Sequence, residues 1–496
     1  MPASRASVVR LLSATTHQGC RGCGRTHGSA HRSLATPADM PIGMPPGKSE
    51  YAFEMAASNL RFGVGATNEV GMDLANMINS LPPSERHNAK IGVFTDKNVA
   101  HLAVMQKVEA SLKREGLDWQ LFDKVSVEPT DDSWRNAIDW TRNSNITHFL
   151  AVGGGSVMDT AKAANLFANY PEADLMDFIN APIGKGRPID KKLSPIIAIP
   201  TTAGTGSETT GTAILDIKAK KFKTGIASRA LKPTLGIVDL DNTATCPKHV
   251  AISAGLDVLF HSLESWTAIP YSERSPRPAN PLLRPAYQGS NPISDIFSFW
   301  ALKQTVKYLP RIARDPGDVE ARQQMLLAAS SAGIGFGNAG VHMPHAFSYP
   351  ISSLNKARAK ERQYMHPSYD PNVALIPHGV AVSLTAPAVF EFTAPASPQR
   401  HREAAAVFMG DRAGELDRVR DEDIGRVLGE EVRRFLDLVE VPRGLQGVGY
   451  LNEDISSLVQ GALPQRRVLD LAPLLSSETA EQVEQLTGII ENSMKW

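Results

Sequence analysis

From about residue 55 onward the spacing of apolar and polar positions changes repeatedly. Short apolar, partly β-branched runs at Ile91–Thr95, Trp119–Val125, Thr147–Val152, Pro195–Ile199 and Leu235–Leu240 predict strands. Between them Lys97–Gly116, Asp131–Asn145 and Ser156–Asn169 repeat their apolar residues at helical spacing, and Thr212–Ser228 reads as a hairpin. Strands alternating with helices imply a parallel, doubly wound sheet. After about residue 245 the strand signals fade. His249–Thr267, Ser294–Leu309, Asp318–Phe336, Arg400–Gly410 and Ile424–Val439 all predict helices. The expected fold class is therefore an α/β domain over 50–243 followed by an all-α domain over 244–496. Ser272–Ser290, broken by Pro and Arg, is expected as a long surface loop.

Composition narrows the function classes. Lys plus Arg and Asp plus Glu are both 52, so the formal charge is zero. A nucleic-acid binder needs a cationic excess on some face, and no such balance exists here. No stretch approaches the ~18 apolar residues of a membrane span, so neither nucleic acid nor membrane is an expected partner. Self-association into a homo-oligomer stays open. Three cysteines exclude a disulfide framework. Residues 1–38 differ from the rest: they hold Arg5, Arg10, Arg21, Arg25 and Arg32 but no Asp, Glu or Lys. That composition predicts a mitochondrial targeting peptide and a matrix location. Cys20 and Cys23 have the spacing of a zinc knuckle but fall in this segment, which would be removed, so the metal reading is set aside.

Two loops carry nucleotide chemistry. Gly153-Gly154-Gly155-Ser156, between an expected strand and helix, offers unobstructed N–H groups and the positive end of a helix, which suits a diphosphate. Ser156 is positioned to cap that helix. The run is not G-x-G-x-x-G, and the acidic residue suited to ribose hydroxyls, Asp96, precedes it. A carboxylate there repels a 2′-phosphate and favours NAD over NADP; read alone, Asp96 is an ordinary helix cap. The second loop, Pro200-Thr-Thr-Ala-Gly-Thr-Gly-Ser-Glu208, follows an apolar strand and is rich in hydroxyls.

A third set carries metal chemistry. Asp257 and His261 stand at i and i+4 in an apolar helix, so they share a face. With His345 and His378 they make a mixed oxygen and nitrogen set suited to Fe2+ or Zn2+ as a Lewis acid. His342 reads as a core residue.

These pieces, in this order, resemble the iron-containing (group III) alcohol dehydrogenase family. The likeness rests on Thr95-Asp96-Lys97, the GGGS turn with Asp159 and Lys162, Thr201-Thr202-x-Gly-Thr-Gly-Ser-Glu208, Asp257-x3-His261, His345 and Pro377-His-Gly379. It implies a dehydroquinate synthase-like architecture, with the site in the cleft between the domains. It implies metal ligation by Asp257, His261, His345 and His378. It implies cofactor contacts at Asp96, Gly154, Gly155, Ser156, Asp159, Thr201, Thr202 and Ser207, with Lys223 as a further candidate. Many members carry a second histidine near the nicotinamide; here Tyr349 stands at that place and is the candidate catalytic residue. His345-Ala346 also departs from the usual His-Gly.

Within the family, Tyr51-Ala-Phe-Glu-Met55, Glu128-Pro-Thr-Asp131, Ala181–Gly186, Gly225–Ala230, Arg284–Asp295 and Leu463-Pro-Gln-Arg466 resemble one mitochondrial branch. That likeness implies exchange of hydride between small hydroxy acids and oxo acids. 4-Hydroxybutyrate would become succinic semialdehyde and 2-oxoglutarate would become 2-hydroxyglutarate, through NAD retained during turnover. Both substrates are carboxylates, and Arg284 and Arg229 are candidates to bind them. A conventional NAD-dependent alcohol dehydrogenase that releases NADH is the alternative. A metal- and nucleotide-binding protein without catalysis is the reading from another class.

Overall fold

The computed structural model describes residues 49–220, 222–369 and 371–496. The expected targeting segment and its Cys20–Cys23 pair lie outside them. The first half is a six-stranded, wholly parallel sheet in the order β1-β8-β5-β4-β2-β3. Its strands are β1 (Asn59–Phe62), β2 (Ile91–Phe94), β3 (Trp119–Phe122), β4 (His148–Gly153), β5 (Ile196–Pro200) and β8 (Leu235–Val238). Between β5 and β8 the chain forms a separate antiparallel pair, β6 (Thr212–Ile217) with β7 (Phe222–Ala227). β1 was not among the expected strands. It is a largely exposed edge strand, Asn-Leu-Arg-Phe, without the continuous apolar run of the central strands.

The central strands are apolar on both sides because both faces are covered. Along β4, Phe149 and Ala151 pack under α3 (Asp131–Asn143) and α4 (Gly155–Asn169). Leu150 and Val152 pack under α1 (Val70–Asn79) and α2 (Ala103–Arg114). Alternation at period two thus feeds two cores from one strand. Thr130 starts α3 with a capping box, its hydroxyl accepting from the Ser133 N–H while Ser133 returns the favour. β2 leads outward to β3, and β4 leads the other way to β5, so the strand order reverses between β2 and β4. The crevice at that reversal is where open α/β sheets take ligands. Asp96 follows two residues after β2 and the glycine turn ends β4, so both open onto it.

The second half is helical among the described residues. It comprises α5 (Lys248–Thr267), α6 (Pro292–Arg314), α7 (Val319–Ala339), α8 (Met343–Ala357), α9 (His378–Ser383), α10 (Ala386–Thr393), α11 (Pro398–Met409), α12 (Ile424–Leu438), α13 (Ile455–Ala462) and α14 (Thr479–Asn492). One apolar core spans them, with Leu256, Leu259, Phe260 and Leu263 of α5 at its heart. Helix α5 is buried nearly all round. No described helix is long and apolar enough to cross a membrane.

Two expectations need correction. Ser272–Ser290 is not wholly a surface loop. Its last stretch, Ala286–Ser290, is buried, and Pro270 bridges to Ser290. The extended segment at residues 50–56, expected at the start of the α/β half, hydrogen-bonds instead to the helical half. Glu50 N–H donates to Arg274 O, Glu54 N–H to Gln288 Oε1 and Ala56 N–H to Asn338 Oδ1.

Candidate active site

Helix α5 presents Asp257, His261 and Glu264 on one face at i, i+4 and i+7. Helix α8 brings His345 to that face. Helix α9 begins with His378, and Gly379 lets it press against α5. A Cβ there would stand 1.9 Å from Ser253 O. Asp257 Oδ1 lies 3.4 Å from His261 Nε2, 3.4 Å from His345 Nε2 and 3.6 Å from His378 Nε2. Asp257, His261 and His345 are buried, and one donor atom of each lies within 4.8 Å of the others. His378 stands at the rim, with its side chain 30% exposed.

Two of the converging donor atoms have no other employment. Asp257 Oδ1 and His345 Nε2 are buried without a hydrogen-bond partner. Orphaned buried polar atoms are costly and rare; two of them, with the Nε2 atoms of His261 and His378 beside them, fit a divalent cation. Mixed carboxylate and imidazole donors suit iron or zinc. Burial pushes His261 down to about 3 and His378 down to about 4, so both are neutral and ready to ligate. His345 differs. Burial works against its charge, but the Glu264 and Asp257 carboxylates carry it up to about 9. Its Nδ1 lies 2.6 Å from Glu264 Oε1, so Nδ1 keeps its proton for that carboxylate, and an ion would displace the proton on Nε2. Glu264 Oε2 also accepts from the His342 N–H at 2.7 Å. His342 itself is a core residue bonded to Thr267 Oγ1 at 2.9 Å. Sequence reasoning missed Glu264, although it continues the face of Asp257 and His261.

The cluster forms one wall of a cavity of 770 Å³, which Gly155, Ser156, Asp159, Ser207, Lys223 and Tyr349 also line. A second groove of 1920 Å³ is lined by Asp96, Gly154, Gly155, Ser156, Thr201 and Thr202. Glu128, Gly155 and Ser156 belong to both, so the two join at the glycine turn. An elongated ligand laid across the turn would reach from Asp96 to the metal cluster. Every residue expected to contact the cofactor lines one or the other.

Several of these side chains also have structural duties. Asp96 Oδ1 accepts from the N–H groups of Asn98 and Val99, the cap that its position alone suggested. Asp159 accepts from Ser207 Oγ at 2.8 Å and from Ile214 N–H at 2.9 Å. Lys162 is fully buried, donates to Ser207 Oγ and to the carbonyls of Thr210 and Thr212, and is lowered by burial to about 8. Ser156 does not cap α4. The helix begins at Gly155, Gly154 holds the cap position without a side chain, and Ser156 Oγ accepts from Glu128 N–H. Gly155 is required for space, because a Cβ would meet Thr205 Cγ2 at 2.5 Å.

Arg284 and Arg229 line neither cavity. Glu50 takes Arg284 in a bidentate pair at 2.9 and 3.0 Å. Arg229 is paired with Glu54. The cations that do line the metal cavity are Lys223 and Arg467. Lys223 lies 3.4 Å from Glu128, whose other oxygen binds Lys356. Burial would raise the Glu128 carboxyl, but these two ammonium groups hold it down at about 2. Arg467 Nη2 donates to Tyr349 Oη at 2.8 Å, and Tyr349 stands parallel to His378 at 6.4 Å. Burial raises the Tyr349 phenol above its ordinary range, so it keeps its proton.

Fold and site together define a metal-assisted, nucleotide-binding oxidoreductase, and comparison places it. Residues 57–240 match the iron-containing alcohol dehydrogenase model, and residues 286–356 and 371–488 match the C-terminal model of the same family. The chain belongs to the iron-containing alcohol dehydrogenase family. Over 99% of both chains it is 50% identical to the mitochondrial hydroxyacid-oxoacid transhydrogenase of Mus musculus, and it is 47% identical to that of Homo sapiens over the same share. Among solved structures, a 1,3-propanediol oxidoreductase superposes with a TM-score of 0.72 at 21% identity, covering 89% of this chain and all of that one. An NADH-dependent butanol dehydrogenase A from Thermotoga maritima gives 0.69 at 23% identity, covering 90% and all of it. Those two likenesses concern the fold.

Proposed function

We propose that this chain is a mitochondrial hydroxyacid-oxoacid transhydrogenase of the matrix. 4-Hydroxybutyrate gives up a hydride and a proton to become succinic semialdehyde, and 2-oxoglutarate takes up both to become 2-hydroxyglutarate. The two half-reactions balance without an external oxidant. The observation that carries the reading is the convergence of Asp257, His261, His345 and His378 on a cavity that opens onto the glycine turn. These four residues would hold Fe2+ or Zn2+, which as a Lewis acid favours loss of an alcohol proton and polarises a carbonyl. NAD, lying from Asp96 past Gly154 and Gly155, would supply the hydride acceptor and stay bound between the two halves of the reaction.

The remaining work belongs to this chain's own side chains. Gly155 and the start of α4 offer N–H groups to a diphosphate. Thr201 and Thr202 line the groove beside it. Tyr349, protonated and fixed by Arg467, offers a hydrogen-bond donor at the mouth of the cluster. Phe336 stacks on His261 at 3.7 Å and closes one side against water.

The test is turnover of 4-hydroxybutyrate with 2-oxoglutarate by purified protein with no nicotinamide cofactor added. Product formation supports retention of NAD. Activity that appears only with stoichiometric free NAD, accompanied by accumulating NADH, replaces the reading with a conventional alcohol dehydrogenase.

A further inference from the structure

A cleft that exchanges hydride between two acids has to recognise both, and their chemistry shares a register. In 4-hydroxybutyrate two methylene groups separate the reacting carbon from the carboxylate. In 2-oxoglutarate two methylene groups separate the keto carbon from the distal carboxylate. One cation, one substrate length from the metal cluster, would therefore read both molecules. This argument rests on the transhydrogenase reading.

We infer that Arg467 is the residue that receives this shared distal carboxylate. Lys223 and Arg467 are the cations that line the cavity. Lys223 is engaged by Glu128, and Lys356 behind it is shared between Glu128 and Asp216, so that group of charges is already balanced. Arg467 has no carboxylate within ion-pair distance among the described residues. Its guanidinium lies 5.0 Å from the centroid of the Tyr287 ring, Nη2 donates to Tyr349, and Nη1 is buried without a hydrogen-bond partner. A buried guanidinium without a counter-ion is costly, and a carboxylate is its natural bidentate partner.

The spacing fits. Tyr349 lies one helical turn beyond His345 on α8, a rise of about 6 Å. Arg467 is held on the hydroxyl of that tyrosine and lines the same cavity as the four ligands. Three single carbon–carbon bonds between reacting carbon and carboxylate carbon span about 4 Å. The hydroxyl or keto oxygen extends the molecule at one end and the carboxylate oxygens extend it at the other. The second carboxylate of 2-oxoglutarate, beside the keto group, lies at the far end from Arg467 and is not read by it.

The test compares substrates that differ only at the distal position: 2-oxoglutarate with 2-oxopentanoate, and 4-hydroxybutyrate with 1-butanol. In Arg467→Gln the preference in kcat/KM for the acid over its uncharged counterpart should fall by about 10- to 100-fold for both pairs. Arg467→Lys should recover part of it. Binding of 2-oxoglutarate to the NAD+ form, measured by calorimetry without turnover, should weaken by the same factor. Unchanged preference ratios overturn the assignment, as does an equal loss for charged and uncharged substrates, which would mark a purely structural arginine. Failure of the wild-type protein to couple the two acids would sink the transhydrogenase reading instead. Arg467 would then be judged on the calorimetric comparison alone.

Discussion

His345 has both ring nitrogens committed, one to Glu264 and the other to the point where the ligands converge. A carboxylate behind a ligating imidazole fixes its tautomer and strengthens it as a donor. Glu264→Gln should therefore weaken metal affinity by about 10- to 100-fold, read by chelator competition, while leaving the fold intact. Asp257→Ala should abolish stoichiometric metal in native mass spectrometry. Metal content unchanged in Asp257→Ala would remove the centre from its proposed place. At this scale the sequence was legible where chemistry repeats along one element. Asp257 and His261 announce themselves at i and i+4, and Glu264 sits one step further along the same face. Arg467 gave no such sign, because its partner Tyr349 is 118 residues away. Arg284 and Arg229 were misjudged for a related reason: charge is visible in a sequence, but the partner that neutralises it is not.

The elements hold the cluster through close backbone approaches. Helices α5 and α9 touch where Gly379 lacks a Cβ, directly beside His378. Gly379→Ala would push α9 off α5 and should cost about 1–3 kcal/mol of stability, read from the urea midpoint. It should also lower metal affinity, because His378 moves with the helix. A variant with unchanged midpoint and metal content would show that α9 has slack at the contact. Gly155→Ala should weaken NAD binding in a fluorescence titration, since Thr205 has to yield and the turn with it. Most helices and strands of the first half were readable, because burial on both faces leaves continuous apolar runs. Helix α8 was not. Pro350 lies inside it and argues locally for a break, whereas Pro344, in the first turn, is compatible with a start. Packing of the buried α8 on its neighbours overrides that signal.

For the whole molecule, acid is the instructive stress. His342 and His401 are buried outside the ligand set, and burial lowers each to about 4. An unfolded histidine titrates near 6.5. As pH falls below that value the unfolded chain binds protons that the native chain refuses, so stability should fall by about 1.4 kcal/mol per pH unit for each histidine, down to about pH 4. Glu128 adds a second stage. Its folded value of about 2 lies below the unfolded carboxylate, so its contribution is complete above about pH 4.5 and lost as pH falls through 2. Denaturation midpoints between pH 7 and 4 should show the first slope, and His401→Gln should reduce it. A flat profile would mean that these imidazoles are charged in the native state. The arrangement of the halves was only partly readable. A parallel sheet and a helical domain follow from periodicity, but the route of residues 50–56 onto the helical half depends on partners far along the chain.

That route makes the helical half depend on the front of the described chain. Arg284 is 9% exposed, and its guanidinium is neutralised by Glu50, which lies at the beginning of the described chain. A chain shortened past this glutamate would lose the pair. A product starting at residue 57 would leave a sequestered cation without its counter-charge and would release the tether joining the front of the polypeptide to its rear half. Heat should unfold such a product sooner than one starting at residue 49. Loss of that one carboxylate would thus be felt in the rear half, more than two hundred residues further along the chain.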